Sequence, residues 1–191
     1  MRKIPTIYVR DWNGDKSRVT KEREPLCDWV FRGEGTATRK RDGTACLFHN
    51  CILYARFDAK HGKTPPADFM PAQAPDRETG HWPGWVPVGA KPEYKHHRAA
   101  LADLEPVEPG TYELCGPKVQ GNPEGFDKLM LIRHGTETLD NVPTDFDALA
   151  DWFKTAKIEG VVWHHADGRM AKIKRRDFGL SWPAKDKEAS S

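Results

Sequence analysis

The sequence predicts an α+β fold of antiparallel sheets with few helices, on three patterns. Two stretches read as hairpins: Thr44–Phe48 against Ile52–Phe57, and Ile158–Trp163 against Arg169–Lys174. Only one stretch has strong helical spacing: Phe146, Leu149, Ala150, Phe153 and Ala156 repeat along one face after Thr144, which is expected to cap the helix. Asp145 and Asp147 suit the positive end of that helix.

Along the chain, Ile4 to Arg10 alternates as an edge strand does, and the charged stretch from Asp11 to Glu24 reads as loop or a short irregular helix. The first hairpin is joined by the polar pair His49-Asn50 and follows directly on Lys40-Arg41-Asp42-Gly43, so Lys40 is expected at the mouth of a sheet. From Lys60 to Glu93 the prolines 65, 66, 71, 75, 83, 87 and 92 resist both helix and central strand. With His81-Trp82-Pro83-Gly84-Trp85 inside it, this stretch is expected to be an ordered loop or lid. The second hairpin turns at Ala166-Asp167-Gly168, which puts Glu159 and the lysines of 172–174 on adjacent strands.

The chain has 191 residues, enough for one domain with its own core, and a net charge of only +2. Its positive charge is local, in Arg39, Lys40 and Arg41 and again in Arg169, Lys172, Lys174, Arg175 and Arg176, as expected where phosphates are gripped at one place. Cys27, Cys46, Cys51 and Cys115 form no C-x-x-C pair, and no apolar leader or spanning segment is present, so reduced thiols in the cytoplasm are expected. Cys46 and Cys115 sit in apolar contexts that suit buried packing.

Four short segments carry the chemistry in order: Lys40 to Gly43, Tyr112-Glu113-Leu114, Glu159-Gly160-Val161-Val162-Trp163, and Lys172-Ile173-Lys174. A lysine before a turn can face a cleft and act as a nucleophile. Lys172 and Lys174, two apart on a strand, point the same way and can reach one anionic centre. Together the segments describe a phosphoryl-transfer site.

That ordered set resembles the covalent nucleotidyltransferases, the superfamily of ATP-dependent RNA and DNA ligases and RNA capping enzymes. More narrowly, GEGTATRKRDGTACLF, YARFDAKHGKTPP, GTYELCGPKVQGNPEG, IEGVVWHH and DGRMAKIKRRDFGLSWP are similar to the compact RNA ligase 1 family, over about Phe31 to Pro183. The resemblance implies an adenylation domain, with its antiparallel sheets around a nucleotide cleft, spanning residues 1–182. Residues 183–191 then form a flexible tail with no OB-fold appendage. It implies that Lys40 attacks the α-phosphorus of ATP to form lysyl-AMP, and that AMP passes to an RNA 5′-phosphate. A 3′-hydroxyl then displaces AMP to seal the strand. Lys172 and Lys174 would neutralise the phosphate oxygens, with Arg39 and Gly43 in the ATP site. Glu113 would accept from ribose hydroxyls, and Arg56 would clamp a terminal phosphate. Glu159 would hold the magnesium, or manganese, that offsets triphosphate charge. Arg56, Arg175 and Arg176 are the candidates for gripping RNA.

The implied partner is RNA with 5′-phosphate and 3′-hydroxyl ends, acted on by a monomer away from membranes. The chain departs from the family pattern at Arg39, where many relatives have glutamate, and it lacks a clear adenine-stacking aromatic near Met130 to His134. A DNA nick sealer or another nucleotidyltransferase of the superfamily stays open. So does a catalytically silent RNA-binding module that stacks bases on Trp82, Trp85 and Trp163. A metallohydrolase built on His49, His96-His97, His134 and His164-His165 is disfavoured, because adjacent histidines on a strand face opposite sides.

Overall fold

The structure, a computed structural model, describes residues 3–60, 64–76, 79–104 and 106–183. Its strands are β1 Tyr8–Arg10, β2 Val19–Arg23, β3 Thr36–Lys40, β4 Thr44–His49, β5 Ile52–Ala59, β6 Met70–Pro71, β7 Trp82–Pro87, β8 Gly110–Cys115, β9 Met130–Arg133, β10 Gly160–His164 and β11 Met170–Lys174. The α-helices are α1 Asp28–Phe31, α2 Lys95–Ala102 and α3 Phe146–Thr155. Antiparallel pairing joins all the named strands, so the fold is α+β as the hairpin patterns predict. Residues 184–191 of the tail expected over 183–191, and part of the expected lid, lie outside the described residues.

The chain divides into two compact units: a middle unit of residues 42–134 with the first three residues, and a flanking unit of residues 4–41 and 135–191. The middle unit is a six-stranded sheet in the order β6-β7-β5-β4-β8-β9. Its core gathers Cys46, Leu53, Ala100, Tyr112, Leu114, Val119 and Leu131, with Cys46 and Cys115 buried as expected. The first hairpin turns on Asn50-Cys51 rather than His49-Asn50, since His49 pairs with Ile52 and both turn residues have positive φ, 49° and 59°. That is the backbone sense that matches the twist of paired strands.

The expectation that 60–93 excludes strand is corrected at β7, which pairs with β5 along its whole length. Pro83 and Pro87 are tolerated because β7 lies next to the sheet edge, flanked outside only by the two-residue β6, where few ladder bonds need their missing N–H groups. The Trp85 side chain is buried in exchange.

The flanking unit holds a three-stranded sheet, β11-β10-β3, and the separate pair β1-β2. Residues 19–23, expected as loop or helix, are strand because buried Val19 pairs with Arg10, while the charged residues after it stay on exposed surface. Helix α3 buries Leu149 and Phe153 against Trp29, Val161, Ile173 and their neighbours. Its cap is Asp145 and not Thr144: the Asp145 carboxylate accepts from the N–H groups of Asp147 and Ala148 at 3.1 and 3.0 Å. Among the described residues no helix is long and apolar enough to cross a membrane.

Candidate active site

Register in the three-stranded sheet separates the chemistry from the core. Residues directly opposite one another on antiparallel strands share a face. Lys40, Gly160 and Lys174 form one row across β3, β10 and β11, and Thr38, Val162 and Lys172 form the next row on that face. Arg39, Val161 and Ile173 form the row between them, on the face where Val161 and Ile173 enter the core. All three lysines thus come to one side.

Glycine at 160 is required by close approach. A Cβ there would lie 2.4 Å from the carbonyl oxygen of Ile173, inside any real contact. Just before that glycine, the carboxylate of Glu159 is buried and bridges two cations: Oε2 accepts from Lys40 Nζ at 2.5 Å, and Oε1 lies 3.0 Å from Lys174 Nζ. Lys40 also donates to the carbonyl of Arg41 at 3.3 Å. The amine of Lys172 is pushed down to about 8, first by burial and then by the charges of Lys174 and Lys40.

Arg39 is turned to the other face of β3. There Glu137, on a segment hydrogen-bonded along the outer edge of β3, takes Arg39 at 3.4 Å and Arg41 at 2.5 Å. Arg175, expected among the RNA contacts, is instead buried, with its guanidinium donating to the carbonyls of Phe153, Ala156 and Ser181. Those bonds fasten the turn after β11 to the end of α3. Arg176 beside it is exposed and donates to the Trp182 carbonyl at 2.9 Å.

The remaining predicted residues lie in the middle unit. Glu113, buried on β8, accepts from the Gly43 N–H at 3.0 Å and meets His134 Nε2 at 2.8 Å. Asp42 N–H donates to Glu124 at 3.0 Å, so two carboxylates hold successive amides of the turn after Lys40. Gly43 admits no side chain, since a Cβ would fall 2.1 Å from the Leu114 carbonyl oxygen. Arg56 stacks its guanidinium over Trp85 at 5.1 Å. Glu137 escapes sequence reasoning because no motif surrounds it, and Glu124, though inside the quoted segment GTYELCGPKVQGNPEG, because nothing in that segment points to it; the first is found only through its pairing with β3 and the second through a loop contact. Trp163 and Trp85 are core residues, which removes two of the three rings of a stacking platform. Among the described residues no cluster of three or more His, Cys, Asp or Glu side chains could hold a metal.

A sequence model of the RNA ligase 1 family matches residues 99–191. RNA ligase 1 of Danio rerio is 34% identical, over 97% of this chain and 83% of the relative. The chain belongs to the RNA ligase 1 family. The Mus musculus RNA ligase 1 is 28% identical over 97% of this chain and 82% of its own, and the Pongo abelii protein 33% identical over 65% and 51%. In this RNA ligase 1 family member, the alignment with the Danio rerio protein spans nearly the whole chain, so both units fall within the family relationship.

Proposed function

We propose that this protein is an ATP-dependent RNA ligase that joins 5′-phosphate and 3′-hydroxyl RNA ends through lysyl-AMP on Lys40 and an adenylated RNA. The observation that carries the reading is the sheet face on which Lys40, Lys172 and Lys174 meet around Glu159, in a chain of the RNA ligase 1 family. An adenylation site needs one amine to attack and further cations to stabilise the phosphate that is attacked.

Lys40 is held as a cation by Glu159. For attack the pair separates and the ammonium gives up a proton, since only the free amine carries a lone pair. The Lys40 nitrogen then forms a bond to the α-phosphorus as the bond to the bridging oxygen breaks, and pyrophosphate leaves with that electron pair. Lys172 and Lys174 face the non-bridging oxygens as their charge shifts. In the second step an RNA 5′-phosphate oxygen displaces Lys40 from phosphorus. In the third, a 3′-hydroxyl gives its proton to water as its oxygen bonds to the 5′-phosphorus, the phosphoanhydride bond breaks, and AMP leaves with that electron pair.

Magnesium fits this donor set, because it keeps most of its waters and takes few carboxylates, and Glu159 supplies one carboxylate on the lysine face. Glu159 would hold the ion, which when bound offsets triphosphate and pyrophosphate charge. Arg56, its guanidinium plane set by Trp85, would grip a terminal phosphate. Arg176 would meet the RNA backbone.

Incubation with α-labelled ATP and magnesium tests the reading. The wild type is expected to take up acid-labile label and Lys40→Ala to take up none; equal label in both would rule out Lys40. Sealing of RNA and DNA strands of the same sequence, compared side by side, is expected to favour RNA.

A further inference from the structure

The edge of β11 away from β10 holds Lys172 and Lys174 by their backbones, each in a different way. Lys172 is held by a neighbouring segment in a parallel ladder: its N–H donates to the Pro5 carbonyl at 2.9 Å, and its carbonyl accepts from the Ile7 N–H at 3.0 Å. Residues two apart on a strand send their N–H groups the same way, so the ladder would carry the Lys174 N–H to the Ile7 carbonyl. That carbonyl accepts from the Glu24 N–H at 2.9 Å instead, where the chain leaves β11 to pair β1 with β2. The acceptor for the Lys174 N–H is the carboxylate of Asp177, at 2.7 Å.

Asp177 is 2% exposed, and a buried carboxylate needs a partner for its charge. Arg10 on β1 supplies one, its guanidinium 2.8 Å from the other carboxylate oxygen. With both oxygens engaged, the carboxylate is fixed in orientation. Next to Lys174, Arg175 donates its backbone N–H to the Glu159 carbonyl at 2.8 Å. One short turn therefore ties down the backbones of Lys174 and Glu159, and the Glu159 side chain in turn lies between Lys174 and Lys40. The charge of Asp177 also favours the ammonium of Lys172, against burial and the charges of Lys174 and Lys40, which press it toward the neutral form. All these residues belong to the flanking unit.

We propose that Asp177 is a positioning residue for adenylyl transfer: its carboxylate takes the place of a missing strand partner for Lys174 and so fixes the lysine pair of β11 against the attacked phosphate. This rests on the reading of the lysine face as the adenylation site. Displacing a reacting group by about 1 Å costs up to roughly a hundredfold in rate.

The test is single-turnover labelling of the full chain with α-labelled ATP and magnesium, over a range of ATP concentrations, for wild type, Asp177→Ala, Asp177→Asn, Arg10→Met and Lys40→Ala. Asp177→Ala is expected to slow the rate at saturating ATP by about 10- to 100-fold while the half-saturating ATP concentration stays within about twofold. Asp177→Asn keeps an oxygen for the Lys174 N–H and is expected to label at least about fivefold faster than Asp177→Ala. Arg10→Met releases one oxygen of the Asp177 carboxylate and is expected to slow labelling severalfold; it stands in if Asp177→Ala does not fold. An unchanged rate in Asp177→Ala, or in Arg10→Met where that variant stands in, overturns the proposal. So does a folded Asp177→Asn as slow as Asp177→Ala, or a loss confined to the half-saturating ATP concentration. Label that persists in Lys40→Ala overturns the nucleophile reading instead, whatever the Asp177 variants do.

Discussion

Lys172 carries a charge that changes within the working pH range. Burial and the two neighbouring ammonium groups bring its amine down to about 8, from an ordinary 10.5. Below that pH it is a cation able to stabilise the attacked phosphate, and above it the charge is lost. The specificity constant kcat/KM reports ionisations of the free enzyme. The ratio of this constant for ATP in wild type to that in Lys172→Arg, whose guanidinium does not titrate, is therefore expected to fall as pH rises through about 8, because the loss of the Lys40 proton is common to both proteins and divides out. pH profiles of labelling rate at low ATP check this, and a ratio that does not change with pH would remove Lys172 from the reaction. At this scale the residue types were legible: a lysine before a turn and two lysines at strand spacing. Their neighbours were not. Arg175 and Arg176 are identical in type and adjacent, yet one is spent on backbone carbonyls and the other is exposed. The difference comes from the short turn after β11, whose direction is set by what it packs on.

Strand β10 shows how one element depends on a single missing atom. Gly160→Ala would put a methyl group 2.4 Å from the Ile173 oxygen, and β10 and β11 would have to part. Overpacking of this kind costs about 1–3 kcal/mol, so the urea midpoint is expected to drop, and labelling to drop with it as the row of Lys40, Gly160 and Lys174 is disturbed. An unchanged midpoint would mean the backbone absorbs the methyl group. The two hairpins and α3 were readable from period and turn residues, while the glutamate-bearing strand β8 was legible only through the family resemblance of Tyr112-Glu113-Leu114. The errors were systematic: β2 was missed because charged residues obscure a five-residue strand in which only Val19 is buried, and β7 because its prolines are tolerated only beside a sheet edge. Helix α2 gave little signal, since only Ala100 of its eight residues is buried.

For the whole molecule, a net charge of +2 means RNA is not held by a general positive field. Binding should instead depend on a few local cations, so its logarithm is expected to fall with log salt at a shallow slope. Arg176→Ala is expected to flatten that slope by about 0.7 for a single strand, measured by fluorescence anisotropy on a labelled RNA; an unchanged slope would take Arg176 off the RNA. The proposed chemistry was present in the chain as residue type and order, because an amine, a carboxylate and paired cations are properties of the side chains themselves. Which of them meet was decided by folding. Lys40 and Glu159 are separated by 119 positions, and their 2.5 Å contact exists because β3 pairs with β10 in one register. A slip of one residue would have sent Lys40 into the core face and Arg39 out in its place, and only long-range strand pairing excludes that slip.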